Sequence, residues 1–390
     1  SVLIDADKHS AAENMIITRH TVNSSCVEDY RRKFFSSPSQ EEKLIHQKRK
    51  LIRETVFDNV KNLNLSKCFF TFTAPTGGGK TLNALEGALL LRERLLENGE
   101  KEARRIIYIL PFTSIIDQNF KVIQDVVHPQ KRNSSILLKH HHLSDIRYWN
   151  EEINKKNEEV ELDKQLMFIE SWESEIIITT YVQLLHTMLS GRNKQLKKLH
   201  NLAGAIVIMD EVQSIPYHYW KLLRTLCMEY SRLFDNKWIM LTATQPKVFN
   251  DEDRLEWLEN EAYPNDFFFQ DLQRTTMKLY SFEYLNLNEW LETAEKLVQE
   301  VSSTLLIVNT IKTSRQVFAH FQQLYEDDDE TDVIYLSANL IPRHRKKTLR
   351  QIRKKLELAN CGKIRVIVIS TQVVEAGVDL DFQRVIRDIA

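Results

Sequence analysis

Runs of consecutive apolar residues recur along the chain and alternate with stretches whose spacing suits helices. Continuous apolar strands are typical of parallel sheets covered by helices on both faces, whereas strands with one solvent-facing side alternate apolar and polar residues. We therefore predict a first α/β domain built on a parallel sheet. Its predicted strands lie at 68–73, 105–110, 175–180, 205–209 and 237–241.

A second series of apolar runs follows, which predicts a second α/β domain in tandem with the first. The junction is expected somewhere in 262–283. The predicted boundaries are 41–275 for the first domain and 276–390 for the second, after a polar segment at 1–40. The second domain's strands are predicted at 304–308, 332–336, 363–369 and 384–386, with helices at 288–302 and 343–356.

Net charge and cysteine content narrow the class of protein. The formal net charge of −1 gives no general attraction to nucleic acid, so any such contact must come from a local basic track. The cysteines lie far apart without a C-x-x-C pair, which argues against a zinc site or a disulfide framework and fits a reducing cytosol. No apolar run approaches the roughly 18 residues that span a bilayer, so we expect a cytoplasmic protein without a membrane partner. The cysteines are Cys26, Cys68, Cys227 and Cys361.

A glycine-rich segment follows the first predicted strand and precedes a helix-compatible run at 82–97. Consecutive glycines let the backbone wrap a phosphate with its N–H groups pointing inward, and the start of the next helix adds a positive dipole end. In such a loop Lys80 would reach the β- and γ-phosphates of ATP, and the Thr81 hydroxyl would bind Mg²⁺. The chain has only nine glycines and three are consecutive here, which disfavours an ordinary flexible turn. The predicted ATP-binding residues are Ala74, Pro75, Thr76, Gly77, Gly78, Gly79, Lys80 and Thr81.

The fourth predicted strand ends in an acidic pair, Asp210 and Glu211. Ligands of parallel α/β sheets bind at the carboxyl ends of the strands. There Asp210 would hold Mg²⁺, and Glu211 would polarise the water that attacks the γ-phosphate. A strand ending in Asp-Glu is a weak signal alone, and the phosphate loop upstream makes it a strong one. Gln213 is predicted to sense the nucleotide, and it completes a catalytic set with Lys80 and the acidic pair.

Two further segments follow strand ends. Residues 241–246, Leu-Thr-Ala-Thr-Gln-Pro, carry small hydroxyl groups that could pass the state of the γ-phosphate to a bound strand. A plain strand-to-loop turn is the alternative interpretation. Residues 370–380 would face both nucleotide and nucleic acid in a two-domain motor. Gly377 and Asp379 would then lie near the ribose, and Thr371 near a phosphate of the bound strand.

Small polar side chains at other strand ends suit contacts to nucleic-acid phosphates, which position a strand without reading its sequence. Helix caps and turns explain such residues equally well. A basic stretch at 343–347 could likewise face phosphates or form a solvated helix face. The candidates for phosphate contacts are Thr113, Ser114, Thr179, Thr180, Asn309 and Thr310.

Three adjacent histidines, His140, His141 and His142, invite a metal hypothesis. Adjacent side chains point in different directions on a strand or helix, and no carboxylate or cysteine lies at ligand spacing, so we predict no metal there. Trp172 and Tyr181 could stack on a base, although packing in the core is favoured for both.

Together these segments resemble superfamily 2 helicases, and in particular the helicase–nuclease of type I CRISPR systems. The resemblance spans residues 45–390 and rests on five motifs in order, which is a highly specific combination. It implies two RecA-like domains, the second incomplete, with ATP and Mg²⁺ in the cleft between them. It also implies 3′-to-5′ translocation on single-stranded DNA after recruitment to a CRISPR surveillance complex. The matching segments are 73–81, 110–118, 170–172 with 178–183, 210–213 and 371–381.

The resemblance also implies parts that this chain lacks. In that family a metal-dependent HD nuclease domain precedes the motor, and residues 1–40 resemble its last helix and a linker, with at most one metal-binding aspartate. We therefore expect no nuclease activity from this chain. The family's final motif, with its arginine finger, should follow Asp381, and the chain ends at Ala390. Because such an arginine contributes a factor on the order of 10³ or more, we expect the chain to bind ATP but hydrolyse it poorly.

Two other classes of protein remain open. Another superfamily 2 enzyme, such as an RNA helicase, would show turnover stimulated by RNA rather than by DNA. A non-catalytic docking module, or a fragment captured by an inhibitor protein, would bind its partner unchanged after Lys80→Ala. A motor would lose nucleotide affinity after the same substitution.

Overall fold

The computed structural model of the chain divides into two compact units, Ser1–Arg274 and Thr275–Ala390. Each unit has its own sheet. The structure describes residues 21–34, 43–75, 77–127, 133–141, 169–242, 248–249, 254–258, 265–269, 276–280, 285–337, 340–372 and 380–388.

In the first unit, the strands form a parallel sheet of order β3-β4-β2-β5-β6-β1-β7. All five predicted strands are present, and the predicted α/β architecture with a parallel sheet is confirmed. The phosphate-loop strand β1 and the acidic strand β5 are separated by β6. The strands are β1 (Phe69–Thr73), β2 (Ile106–Leu110), β3 (Leu137–His140), β4 (Ile176–Thr180), β5 (Ile206–Asp210), β6 (Lys237–Thr242) and β7 (Leu255–Glu256).

Burial of the sheet on both faces explains why its strands are continuously apolar. Successive residues of β1 enter different clusters, since Phe70 and Phe72 belong to one buried cluster and Phe69 to the other. Residues Ile106–Leu110 and Ile176–Thr180 are buried at every position. The helices of this unit are α1 (Ser25–Phe34), α2 (Lys43–Asn62), α3 (Lys80–Glu97), α4 (Thr113–Val127), α5 (Tyr181–Leu189), α6 (Asn193–Leu202) and α7 (Trp220–Phe234).

The helices before the sheet pack against the helix that follows the phosphate loop. Helix α2 packs along α3, and α1 contacts both α3 and α4. Helix α3 itself is buried over most of its length, including the polar residues Asn83 and Glu86. The segment upstream of β1 is therefore integrated into the first unit.

The second unit has a parallel sheet of order β11-β8-β10-β9, again as predicted. Its first helix begins with a capping box formed by Asn286 and Glu289, which satisfies backbone N–H groups at the helix start. Of the helices that the structure describes in either unit, none is long and apolar enough to cross a membrane. The elements are α8 (Leu287–Gln299), β8 (Ser303–Ile307), α9 (Ile311–Leu324), β9 (Thr331–Leu336), α10 (Pro342–Asn360), β10 (Arg365–Ser370) and β11 (Arg384–Arg387).

Candidate active site

The glycine-rich loop leaves β1 and enters α3 through two residues in the left-handed region, Gly77 with φ 79° and Gly79 with φ 78°. L-residues with a side chain rarely adopt this conformation, so glycine is strongly favoured at both positions. At Gly78 the constraint is space, because a Cβ would lie 3.0 Å from the Pro75 carbonyl oxygen and 3.2 Å from Cδ1 of Ile52. The glycines thus allow a tight loop in front of the helix start.

Lys80 is the first residue of α3 and carries the cation of the loop. Its Nζ is buried and has no hydrogen-bond partner among the described residues. Oε1 of Glu211 lies 3.9 Å away, beyond hydrogen-bonding distance. A buried ammonium group without hydrogen bonds is costly. An anion bound at the loop would supply the missing acceptors, so the residues present fit a phosphate group.

Asp210 lies at the end of β5, where one tyrosine bonds its carboxylate and another bonds its backbone carbonyl. Tyr108 of β2 donates its hydroxyl to Oδ2 of Asp210 at 2.9 Å. Burial raises the pKa of this phenol, and the nearby Thr81 side chain opposes the rise. Tyr181 donates to the backbone carbonyl of Asp210 at 2.8 Å. The two predicted metal-binding residues, Thr81 and Asp210, are therefore brought together around one buried phenol. Their hydroxyl and carboxylate oxygens are the ligand type that Mg²⁺ prefers.

Burial controls the charge of this carboxylate. It raises the pKa of Asp210 from its ordinary value of 3.8 to about 6, and the hydrogen bond from Tyr108 opposes the rise. Only 6% of the residue is exposed. A nearby cation would favour the ionised form, which is what a metal-binding role requires.

Glu211 and Gln213 form a hydrogen-bonded relay next to Lys80. Glu211 has φ 52° and ψ 45°, an uncommon conformation for a residue with a side chain, and its backbone N–H donates to the Leu241 carbonyl at 3.1 Å. Gln213 donates through Nε2 to Oε2 of Glu211. Thr242 then donates to Oε1 of Gln213 at 2.9 Å. The relay joins the acidic pair to the end of β6, where the sequence predicts the coupling segment.

Three threonines among the predicted nucleic-acid contacts have side-chain hydrogen bonds within the protein. Thr180 and Thr310 accept from the backbone N–H three residues further on, at 3.2 and 3.0 Å, and so cap helices α5 and α9. Thr179 is fully buried and donates to the His140 carbonyl at 2.7 Å. Contacts of these residues to nucleic acid stay predictions.

The remaining candidates for such contacts also lie at element ends. Asn309 follows β8 and donates to a carboxylate oxygen of Asp388 at 3.0 Å. Thr371 follows β10 and is buried, with 7% exposed. Thr113 and Ser114 begin helix α4, and the side chain of Ser114 lies outside the described residues. These contacts stay predictions as well.

His140, His141 and the two candidate aromatic residues are buried, and His142 lies outside the described residues. Trp172 and Tyr181 are 0% and 6% exposed, which confirms that packing is favoured for both. Nε1 of Trp172 donates to Nδ1 of His140 at 2.9 Å. Burial, with nearby Lys198, lowers the pKa of His140 to about 3, so its imidazole is neutral. Within the described part of the chain, no group of three or more His, Cys, Asp or Glu side chains is arranged to hold a metal.

Sequence reasoning found the motif residues and missed Tyr108, which touches both Thr81 and Asp210. A tyrosine inside the apolar run of β2 looks like core, and only the neighbouring strand reveals its polar partner. Two predicted ribose contacts, Gly377 and Asp379, lie outside the described residues, as do Thr76 and residues 243–247.

Each of the two units contains a segment that matches a known protein-family model. Residues 50–251 match the family model described as DEAD/DEAH box helicase. Residues 300–390 match the model described as CRISPR-associated nuclease/helicase Cas3, C-terminal. Among curated proteins, the CRISPR-associated nuclease/helicase Cas3 of Haloferax volcanii is 26% identical, over 99% of this chain and 51% of that protein. The protein of the same name from Methanothermobacter thermautotrophicus is 25% identical, over 81% of this chain and 36% of its own length. The chain thus spans about half, or less, of the curated relatives it matches.

Solved structures show the same fold. Cas3 of T. fusca with AMPPNP superposes with a TM-score of 0.68 at 18% identity, over 98% of this chain and 45% of that one. A chain of a CRISPR RNA-guided surveillance complex, pre-nicking, has a TM-score of 0.52 at 18% identity, over 84% of this chain and 38% of that one. The likeness shows that the two parallel α/β units have the fold of helicase domains.

Proposed function

The chain belongs to the DEAD/DEAH box helicase family and is related to the Cas3 nuclease/helicases, and on that premise we propose that it is an ATP-driven motor acting on single-stranded DNA in CRISPR interference. In this proposal the motor unwinds target DNA so that a nuclease domain of the HD type can degrade it. One observation carries the proposal most directly. The buried Nζ of Lys80 has no hydrogen-bond partner among the described residues and lies at the end of a left-handed glycine loop.

The loop and the first turn of α3 would bind the phosphates of ATP. Backbone N–H groups of the loop, such as that of Gly79, would donate to the β-phosphate, and Lys80 would reach the β- and γ-phosphates. Thr81 and Asp210 would hold Mg²⁺, which when bound neutralises charge that develops on the phosphate oxygens. Tyr108 would keep the Asp210 carboxylate facing Thr81 while the nucleotide enters and leaves.

Glu211 would act on the attacking water. Its carboxylate lies 3.9 Å from the Lys80 ammonium, the group that would reach the γ-phosphate. From there it would accept a proton from the water as the water oxygen bonds to the γ-phosphorus and the bond from that phosphorus to the bridging oxygen of the leaving ADP breaks. Gln213 hydrogen-bonds both Glu211 and Thr242, so a shift of the glutamate on phosphate release would reach the end of β6. That relay would couple hydrolysis to movement along the strand.

Likeness to helicases bound to DNA supports single-stranded DNA as the partner, and likeness to a chain within a CRISPR surveillance complex supports recruitment by such a complex. The sequence candidates for phosphate contacts lie at the ends of strands or the starts of helices, where neutral hydroxyl groups suit contacts that carry no sequence preference.

The proposal is tested by nucleotide binding and turnover of the purified chain. We expect ATP to bind with Mg²⁺, and single-stranded DNA to stimulate turnover more than RNA of the same length. Lys80→Ala should remove nucleotide binding while leaving the thermal unfolding temperature within a few degrees of the unaltered value. Stimulation by RNA alone would favour an RNA helicase. Equal nucleotide binding by the unaltered chain and the Lys80→Ala variant would contradict the proposed motor function and favour a docking module.

A further inference from the structure

The carbonyl groups of the glycine loop are held from outside by side chains. Arg49 of α2 donates through Nε to the Gly77 carbonyl at 2.7 Å. Asn83 of α3 donates through its side-chain amide to the Gly78 carbonyl at 3.3 Å. A loop carbonyl that is hydrogen-bonded on the outside does not point toward a bound anion. The Gly78 carbonyl and the Gly79 N–H belong to one trans peptide and point in opposite directions, so the Asn83 bond favours the arrangement in which the Gly79 N–H faces a phosphate.

The Asn83 amide is itself oriented by Arg31 of helix α1. Nη2 of Arg31 donates to Oδ1 of Asn83 at 2.6 Å, and Asn83 is only 1% exposed, so solvent contributes little to its orientation. The amide oxygen only accepts hydrogen bonds and the amide nitrogen only donates them. Because Arg31 engages the oxygen, the nitrogen must face the Gly78 carbonyl. A flipped amide would place two oxygens against each other.

Further contacts fix α1 on α3 and keep this guanidinium in place. Glu93 accepts from the backbone N–H and the hydroxyl of Ser24 at 2.6 and 2.8 Å, just before α1 begins. Glu86 lies 3.5 Å from Arg31 and accepts hydrogen bonds from Arg53 at 2.6 to 3.0 Å. The position of Arg31 along α3 is therefore set by contacts on both sides of it.

We propose that Arg31 is a positioning residue for nucleotide binding, which acts through the Asn83 amide on the Gly78 carbonyl. Arg31 and the whole of α1 precede residue 50, where the match to the helicase family begins. The phosphate loop of this chain thus depends on a segment outside the helicase motifs. The inference rests on the proposed function, namely that this loop binds the phosphates of ATP.

A double-mutant cycle on the whole chain tests the inference. The affinity for a non-hydrolysable ATP analogue with Mg²⁺ is measured for Arg31→Met, Asn83→Ala and the double variant. Methionine keeps the length of the side chain and removes its donors. Each single variant should weaken binding by about tenfold, the effect of losing one hydrogen bond to a charged group. The double variant should lose no more than the singles, because both act through the same contact.

Two variants control for charge and for structure. Arg32→Met removes the neighbouring guanidinium, which is exposed and pairs with Glu28 at 3.0 Å, and should change the affinity less than twofold. Arg31→Lys can still donate to the Asn83 oxygen and should recover most of the affinity. If Arg31 had only a structural role, Arg31→Met would lower the unfolding temperature and leave the nucleotide affinity of the folded protein unchanged.

The outcomes separate this inference from the proposed function. Unchanged affinity in folded Arg31→Met overturns the inference, and so does a double variant whose loss is the product of the single losses. If Arg31→Met does not fold, the nucleotide affinity of Asn83→Ala tests the inference instead. An unchanged affinity in that variant overturns the inference. If the unaltered chain binds no nucleotide and cannot be told from Lys80→Ala, the proposed function fails and this inference with it.

Discussion

At the scale of single residues, the buried carboxylate of Asp210 would be stabilised by a bound cation. When no cation is bound, its ionised form destabilises the folded protein. Burial raises the pKa of its carboxyl group from 3.8 to about 6. A carboxyl group with a raised pKa in the folded state contributes stability below pH 3.8, and this contribution is lost as the pH rises through about 6. At pH 8 the metal-free fold therefore carries a penalty of roughly 3 kcal/mol, at about 1.4 kcal/mol per pKa unit.

Asp210→Asn should remove that penalty and abolish turnover. The amide is uncharged at every pH and can still accept the hydroxyl of Tyr108. We expect the free energy of unfolding at pH 8, in the presence of a chelator, to rise by about 1–3 kcal/mol. At pH 4 the variant and the unaltered chain should unfold at similar temperatures. A lower unfolding temperature for the variant at pH 8 would contradict the prediction.

Asp235→Asn is the control of opposite sign. Burial raises the pKa of Asp235, but hydrogen bonds from Lys237 and Arg104 outweigh it and hold the pKa below its ordinary value. A lowered pKa contributes stability above the ordinary value and loses it as the pH falls. The substitution should therefore lower the unfolding temperature at pH 8. The loss should be small, because the Asp235 side chain is 55% exposed.

Tyr108→Phe tests the link between the two proposed metal ligands. Removing the hydroxyl leaves Thr81 and Asp210 without their shared partner, so the Mg²⁺ concentration for half-maximal turnover should rise about tenfold. Nucleotide affinity measured without Mg²⁺ should stay the same. Tyr181→Phe is the matched control, because that hydroxyl contacts the backbone carbonyl of Asp210 rather than its carboxylate. Equal effects of both substitutions would refute a specific role for Tyr108.

The sequence predicts those residues whose neighbours along the chain carry the signal. Lys80 follows a run of glycines, and Asp210 ends an apolar strand, so both are recognisable locally. Tyr108 and Arg31 act on partners 102 and 52 positions away. No local pattern marks them, since one resembles a core residue and the other a surface charge.

At the scale of elements, apolar runs place the strands to within about two residues, because strands buried on both faces must be continuously apolar. The apolar pattern does not predict strands β3 and β7. Leu137–His140 has only two apolar residues before a lysine and a histidine, and Leu255–Glu256 is a two-residue strand. Both are held by pairing with longer neighbours, Ile176–Thr180 and Phe69–Thr73, which a reading of local sequence does not include.

Gly87→Ala tests how closely α3 packs on the segment that follows β7. A Cβ on Gly87 would lie 2.5 Å from Cζ3 of Trp257, a ring that is fully buried. Alanine favours a helix over glycine by about 1 kcal/mol, but overpacking costs about 1–3 kcal/mol and should prevail. Denaturant unfolding should show a net loss of stability. Gly191→Ala has open space around it and is the control, with little change expected.

At the scale of the whole molecule, each buried cluster among the described residues draws its members from one unit. Phe321 is fully buried in a cluster of the second unit. Phe321→Ala should cost that unit about 3–5 kcal/mol. Hydrogen exchange should then speed up in strands β8 to β10 and stay unchanged in β1 and β5. Equal acceleration in both sheets would mean that the units unfold as one.

The position of β1 in the sheet also sets when the site can form during synthesis. Phe69 pairs with Trp238 and Phe70 with Leu255, so both partners of this strand lie about 170–185 residues downstream. A ribosome adds roughly 5–20 residues per second, which leaves the apolar segment Phe69–Thr73 without its partners for roughly 10–40 s. The nascent chain must therefore keep this apolar segment from aggregating until Glu256 has emerged, and the glycine loop that follows the segment lacks its supporting sheet until then.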